Sequence, residues 1–146
     1  MEYKQKQVII LRKDLNMRKG KMVAQGAHAS MKCLLDIAHK AQSISVKSHV
    51  YKNRPYKLDG DYLCIPYNNE VKDWLENRFA KIVVGVDSKD ELLTIYNEAV
   101  EARLICSLIL DSGFTEFGGV STYTAVAIGP ADNELIDKIT GNLKLL

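Results

Sequence analysis

An α/β layered domain built around a small, largely parallel sheet is the fold this sequence predicts, and three observations carry it. Short apolar, β-branched runs recur at 7–11 (QVIIL) and 81–86 (KIVVGV), with further strand-like stretches at 104–110 and 122–128. Segments with helical spacing separate most of them, and the order is strand, helix, irregular cover and helix, strand, helix, strand, strand, helix. The chain has 146 residues, which suits one domain with a substantial core, and its 47% apolar content is that of an ordinary globular protein.

The first strand, Gln7 to Leu11, is bounded by charge and reads as buried on both faces. Asp14 and Asn16 supply turn chemistry before a helix that the spacing carries from about Met17 to Ala41. Lys21, Gln25, His28 and Lys32 recur on one side of that helix, and Val23, Ala27, Ser30 or Met31, and Leu34 on the other, so the first set is expected outward and the second, with the small residues Ala24, Gly26 and Ala29, against the sheet. Arg18, Lys19 and Lys21 crowd the helix start, where the macrodipole is already positive and backbone N–H groups lack partners. That arrangement suits a phosphate or carboxylate. A solvated Lys-rich turn accounts for the same residues.

Between Gln42 and Asn69 the periodicity fails. The stretch holds Pro55, Gly60, Pro66 and four tyrosines, and it predicts a cover in which Ser43–Val50 pairs with Asp61–Ile65. His49, Tyr51, Lys52, Arg54, Tyr56 and Lys57 interleave basic and aromatic groups, a composition that stacks on single-stranded nucleotides or pins a long loop to its own domain. A helix over Glu70–Phe79 follows. Asp87 or Ser88 caps the next helix, whose first turn carries Asp90 and Glu91. The fourth strand ends at Gly129-Pro130, and Ala131 to Leu143 forms the last helix.

The formal net charge of +2 hides an uneven distribution: residues 1–58 carry +10 and residues 59–146 carry −8. The basic part is a candidate footprint for nucleic acid, unless folding interleaves the halves and pairs the charges. Cys33, Cys64 and Cys106 form no C-x-x-C pair, which argues against a disulfide framework or zinc site and fits a reducing compartment. No metal or cofactor is expected. The apolar run near the N-terminus is too short for a signal-peptide core and no transmembrane stretch follows, so a cytoplasmic protein without membrane attachment is expected.

Ligands of open α/β sheets gather outside the carboxyl ends of the strands. The turn after the first strand holds Lys19 and Lys21, the turn after the third holds Asp111, and Thr115, Thr122 and Thr124 are close in sequence. Ammonium, carboxylate and hydroxyl together suit ester hydrolysis on a phosphate-rich substrate, although a lone Lys–Asp pair is more often structural than catalytic.

KDLNMRKGKMVAQGAHAS resembles the opening helix motif of the archaeal- and eukaryotic-type peptidyl-tRNA hydrolases, the second family of these enzymes. KIVVGV, LILDSGFTEFGG, TAVAIGPA and ELIDKITGNLKLL resemble its later blocks in the same order. The resemblance implies one three-layer α/β/α domain over 1–146, with a four-stranded mixed, mostly parallel sheet and an inserted cover at about 42–69. It also implies hydrolysis of the ester joining peptide to tRNA, with peptidyl-tRNA as partner. By position it makes Lys21, Gln25, Asp111 and Thr124 the catalytic set, and Lys19, His28 and Thr115 substrate-binding; Arg18, by its charge at the helix start, and Lys32, by its place on the polar helix face, are added to the substrate-binding residues. The chain departs from the family pattern at Arg18 (usually glycine), Phe114 (commonly arginine), Glu116 (usually glutamine) and Gly118. A tRNA-binding module that kept the fold and lost the reaction is the alternative, and a homodimer is left open.

Overall fold

The computed structural model describes residues 3–41, 49–51, 54–56 and 61–146. The main sheet contains β1 (Gln5–Arg12), β6 (Lys81–Val86), β7 (Cys106–Asp111), β8 (Thr122–Asp132) and β9 (Lys144–Leu145), in the order β7-β8-β1-β6-β9. Helices α1 (Lys19–Ile37), α2 (Asn69–Glu76), α3 (Lys89–Glu101) and α4 (Asn133–Thr140) complete it. The strand β1 is central, and its alternate residues feed two cores. Val8 and Ile10 pack with Val126, Ile128, Leu92, Ile95 and Ile136 on the side of α3 and α4, while Ile9 and Leu11 pack with Ala29, Cys33, Ile109 and Ala127 on the side of α1. Full burial of a side chain such as Ile10 stabilises the fold by roughly 1.5–3 kcal/mol.

The sheet is mixed, but it is five-stranded and mostly antiparallel, which corrects the expectation of four mostly parallel strands. Among its described strands, only β1 and β6 run parallel. The strand β8 is antiparallel to both β1 and β7, and β9 to β6. The segment 112–121 between β7 and β8 contains no helix, and a parallel return needs a crossover of a dozen or more residues. One consequence positions the site: because β1 and β7 both oppose β8, they point the same way, and their carboxyl ends share one edge with the start of β8.

The strand β8 also continues past Gly129-Pro130 instead of ending there. The ladder with β1 shifts register between Lys6 and Val8, so the proline sits at an irregularity where its missing N–H is tolerated. Gly129 has φ +102°, and a Cβ there would lie 2.4 Å from the Lys6 carbonyl oxygen. The last helix is accordingly shorter than expected, Asn133–Thr140, with the Asp132 carboxylate capping it.

Helix α1 stops at Ile37 because His39–Ala41 (β2) leaves to pair with Tyr62–Cys64 (β5). The predicted second strand of the cover is therefore present with a different partner. His49–Tyr51 (β3) pairs with Arg54–Tyr56 (β4), while Ser43–Ser48, Lys52 and Lys57 lie outside the described residues. Helix α2 begins after Asn68, whose side chain accepts from the Val71 N–H at 2.9 Å, and ends three residues before Phe79. Among the described residues, no helix is long and apolar enough to cross a membrane.

The faces of α1 differ in part from the periodic expectation. Gly26, Ala29 and Leu34 pack inward as expected, but Val23 and Met31, expected against the sheet, are 72% and 56% exposed, and Gln25, expected outward, is buried. Gly26 and Ala29 let the helix sit close on β1, and Gln25 is admitted because the sheet supplies its hydrogen-bond partners. Burial pushes the Cys33 thiol up to about 12, so it behaves as an unreactive packing group.

Candidate active site

At the shared edge, Lys21 from the first turn of α1 meets Asp111 from the end of β7. Lys21 Nζ donates to Asp111 Oδ1 at 2.8 Å and to Thr115 Oγ1 at 2.9 Å. Gln25, one turn along α1, donates from Nε2 to the same Oδ1 at 3.0 Å, and Thr124 Oγ1 donates to Gln25 Oε1 at 2.5 Å. The Gly113 N–H donates to Asp111 Oδ2 at 2.9 Å, the short-range turn expected of an aspartate before Ser-Gly. Gly113 is required there: its φ is +81°, and a Cβ would lie 2.1 Å from the Val120 carbonyl oxygen.

The donor and acceptor inventory shows what remains for a substrate. An ammonium has three N–H bonds, and two of those of Lys21 are engaged. Asp111 Oδ1 accepts twice and Oδ2 once, which leaves one lone pair of Oδ2 for a water. Gln25 and Thr124 are 1% and 0% exposed, so they lie behind the reacting edge. The Lys21 ammonium beside Asp111, helped by the Gly113 and Gln25 N–H groups, holds the aspartate carboxyl below its ordinary range against the opposing effect of burial. The carboxylate is ionised at neutral pH.

A family model described as peptidyl-tRNA hydrolase PTH2 matches residues 5–146. The chain belongs to this family. A protein of Methanocaldococcus jannaschii named peptidyl-tRNA hydrolase is 43% identical over 141 residues, covering 97% of this chain and 99% of that protein. Its counterpart by name in Sulfurisphaera tokodaii is 42% identical over 141 residues, covering 97% and 98%. The protein is thus a peptidyl-tRNA hydrolase, an ester hydrolase of translation.

The other expected residues of this hydrolase fall around the cluster unevenly. Arg18 stands at the N-cap of α1 and pairs with Glu116, Nε to Oε1 at 2.7 Å, while its backbone N–H lies 3.4 Å from Oε2. A carboxylate of the protein itself thus sits at the helix start. Lys19 is exposed beside it. His28 is exposed further along α1, and Lys32 pairs with Asp36 at 2.5 Å, so neither joins the Lys21–Asp111 cluster. An apolar groove of about 700 Å³ lies on another flank of α1, lined by Met22, Val23, Met31, Trp74 and Phe79. It shares Lys19 with the helix start but none of the cluster residues.

Sequence reasoning missed two participants, the Gly113 N–H and the Phe117 ring, and singled out Glu116 only as a departure from the family pattern. The Gly113 N–H was legible in the D-S-G spacing. Phe117, whose ring centroid lies 5.6 Å from Lys21 Nζ, and the pairing of Glu116 with Arg18 carry no local signal, because only the fold of the 113–119 loop turns them toward α1.

Proposed function

We propose that the protein releases tRNA for reuse by direct attack of water on the peptidyl ester, with no covalent enzyme intermediate. Asp111 orients the water through its remaining Oδ2 lone pair. Its depressed basicity makes it a weak base at the outset, and proton acceptance becomes favourable only as the nucleophile adds and acidifies. Lys21 directs its third N–H at the developing oxyanion. Gln25 and Thr124 are positioning residues, and the Thr115 hydroxyl is a second anchor for the ammonium beside Asp111.

Arg18 and Lys19 serve phosphates of the acceptor end, and His28 and Lys32 extend a basic track along the exposed side of α1. The whole chain acts as one domain, and its cover segment supplies further basic and aromatic groups. The observation that carries this reading is the convergence of Lys21 Nζ and Gln25 Nε2 on one oxygen of Asp111, 90 and 86 residues away in sequence. Turnover of labelled peptidyl-tRNA by wild type and Asp111→Asn tests it. An RNA-binding module would retain the RNA and release no peptide. Undiminished release by the variant would remove Asp111 from the reaction.

A further inference from the structure

Phe114 is 85% exposed, and the three side chains that follow it in the loop are engaged. Thr115 accepts from Lys21, Glu116 binds Arg18, and Phe117 lies against Lys21. The backbone closes on itself through Phe117 N–H to the Gly113 carbonyl, Gly119 N–H to the same oxygen and Val120 N–H to the Phe117 carbonyl, each at 3.0 Å. Asp111 fastens the preceding residue, Gly113, at 2.9 Å. Phe114 is thus an aromatic ring on a backbone tied from both sides to the reacting cluster, with its own side chain directed to water. Val120, later in the same loop, is 66% exposed.

Single exposed apolar residues are ordinary on protein surfaces. What distinguishes Phe114 is its place: its Cα is one residue step, about 3.8 Å, from that of Thr115, whose hydroxyl is 2.9 Å from Lys21 Nζ. The ester of peptidyl-tRNA is borne by the ribose of the last, unpaired nucleotide, so an ester held at Lys21 and Asp111 brings that nucleotide's base to this rim. The peptide varies from substrate to substrate, whereas the terminal base is constant and offers a π-face.

We propose that Phe114 is a stacking platform for the terminal base of the tRNA acceptor end, a specificity element that selects nucleotide-borne esters over other esters. This rests on the hydrolase reading above. The preordered loop supplies the platform without an ordering cost on binding.

The test is a double-mutant cycle in binding. The probe is an RNA minihelix ending in CCA that carries an N-acetylaminoacyl group through a non-hydrolysable amide, compared with the same RNA lacking the terminal base. Removing the base should weaken binding to the wild type by roughly 5- to 150-fold, the range of base–aromatic stacking. The same removal should have no effect on Phe114→Ala. Phe114→Tyr and Phe114→Trp should behave as wild type and Phe114→Leu as the alanine variant, all with unchanged Tm. Equal losses in wild type and Phe114→Ala overturn the proposal, as does wild-type behaviour of Phe114→Leu or a wild type that binds both probes alike or neither. Turnover of peptidyl-tRNA by the wild type, measured alongside, reports separately on the hydrolase reading.

Discussion

Thr124 and Gln25 lie 99 residues apart in sequence, and the Thr124 hydroxyl donates to Gln25 Oε1 at 2.5 Å in a place that water does not reach. The ionised Asp111 carboxylate only accepts, so it fixes the Gln25 NH₂ toward itself, and the Thr124 hydroxyl, able to donate or accept, donates to the oxygen at the other end. Carbonyl toward Thr124 leaves the NH₂ to donate to the carboxylate at 3.0 Å. The reverse orientation would set oxygen against oxygen.

Thr124→Val keeps the volume and removes the donor. It should lower stability by about 1–3 kcal/mol through the unsatisfied Gln25 oxygen. It should also lower kcat with little change in KM, because the pair lies behind the substrate edge. Thr124→Ser should restore both. Thermal unfolding and steady-state kinetics on the three proteins check this, and a KM change alone would place Thr124 in binding instead.

Lys21→Ala should act on the chemical step, because an oxyanion donor counts most in the transition state. The loss expected for one such donor is about 2.7–4 kcal/mol, or roughly 10²–10³ in kcat. Lys19→Ala removes a charge outside the cluster and should raise KM. Equal effects of both substitutions on KM alone would refute the division.

The pH dependence follows from the depressed Asp111 carboxyl. A group whose folded pKa lies below its unfolded value contributes stability that is present above the unfolded value, about 3.9, and is lost as pH falls through the folded one. The stability advantage of wild type over Asp111→Asn should therefore shrink as pH drops below about 4. The acid limb of log kcat should lie in the same window. An acid limb near pH 6 that Asp111→Asn leaves in place would assign the titration to another group.

Glu116→Gln removes the carboxylate that occupies the start of α1 and releases Arg18. Binding of tRNA should tighten, and each phosphate that the freed guanidinium neutralises should steepen the dependence of log K on log salt by about 0.7–0.9. Affinity measured over a salt series reads both. An unchanged slope with unchanged affinity would show that Arg18 meets no phosphate.

Local chemistry determined a good deal of this molecule from the sequence by itself. KIVVGV is a strand with the expected bounds, Ser88 caps α3 by accepting from the Glu91 N–H at 3.1 Å, and the turns after β1 and β7 meet as their loop residues indicated. These features depend on apolar runs, caps and turn residues whose signals lie within a few positions. Tertiary structure alone decided the strand directions, the continuation of β8 through Gly129-Pro130, and β9, a two-residue strand that exists by pairing with Val84 and Gly85. It also decided the face of α1: helical periodicity sorts residues by their own polarity and places Gln25 outside. Gln25 is buried because Thr124 and Asp111, brought from the far half of the chain, satisfy both ends of its amide.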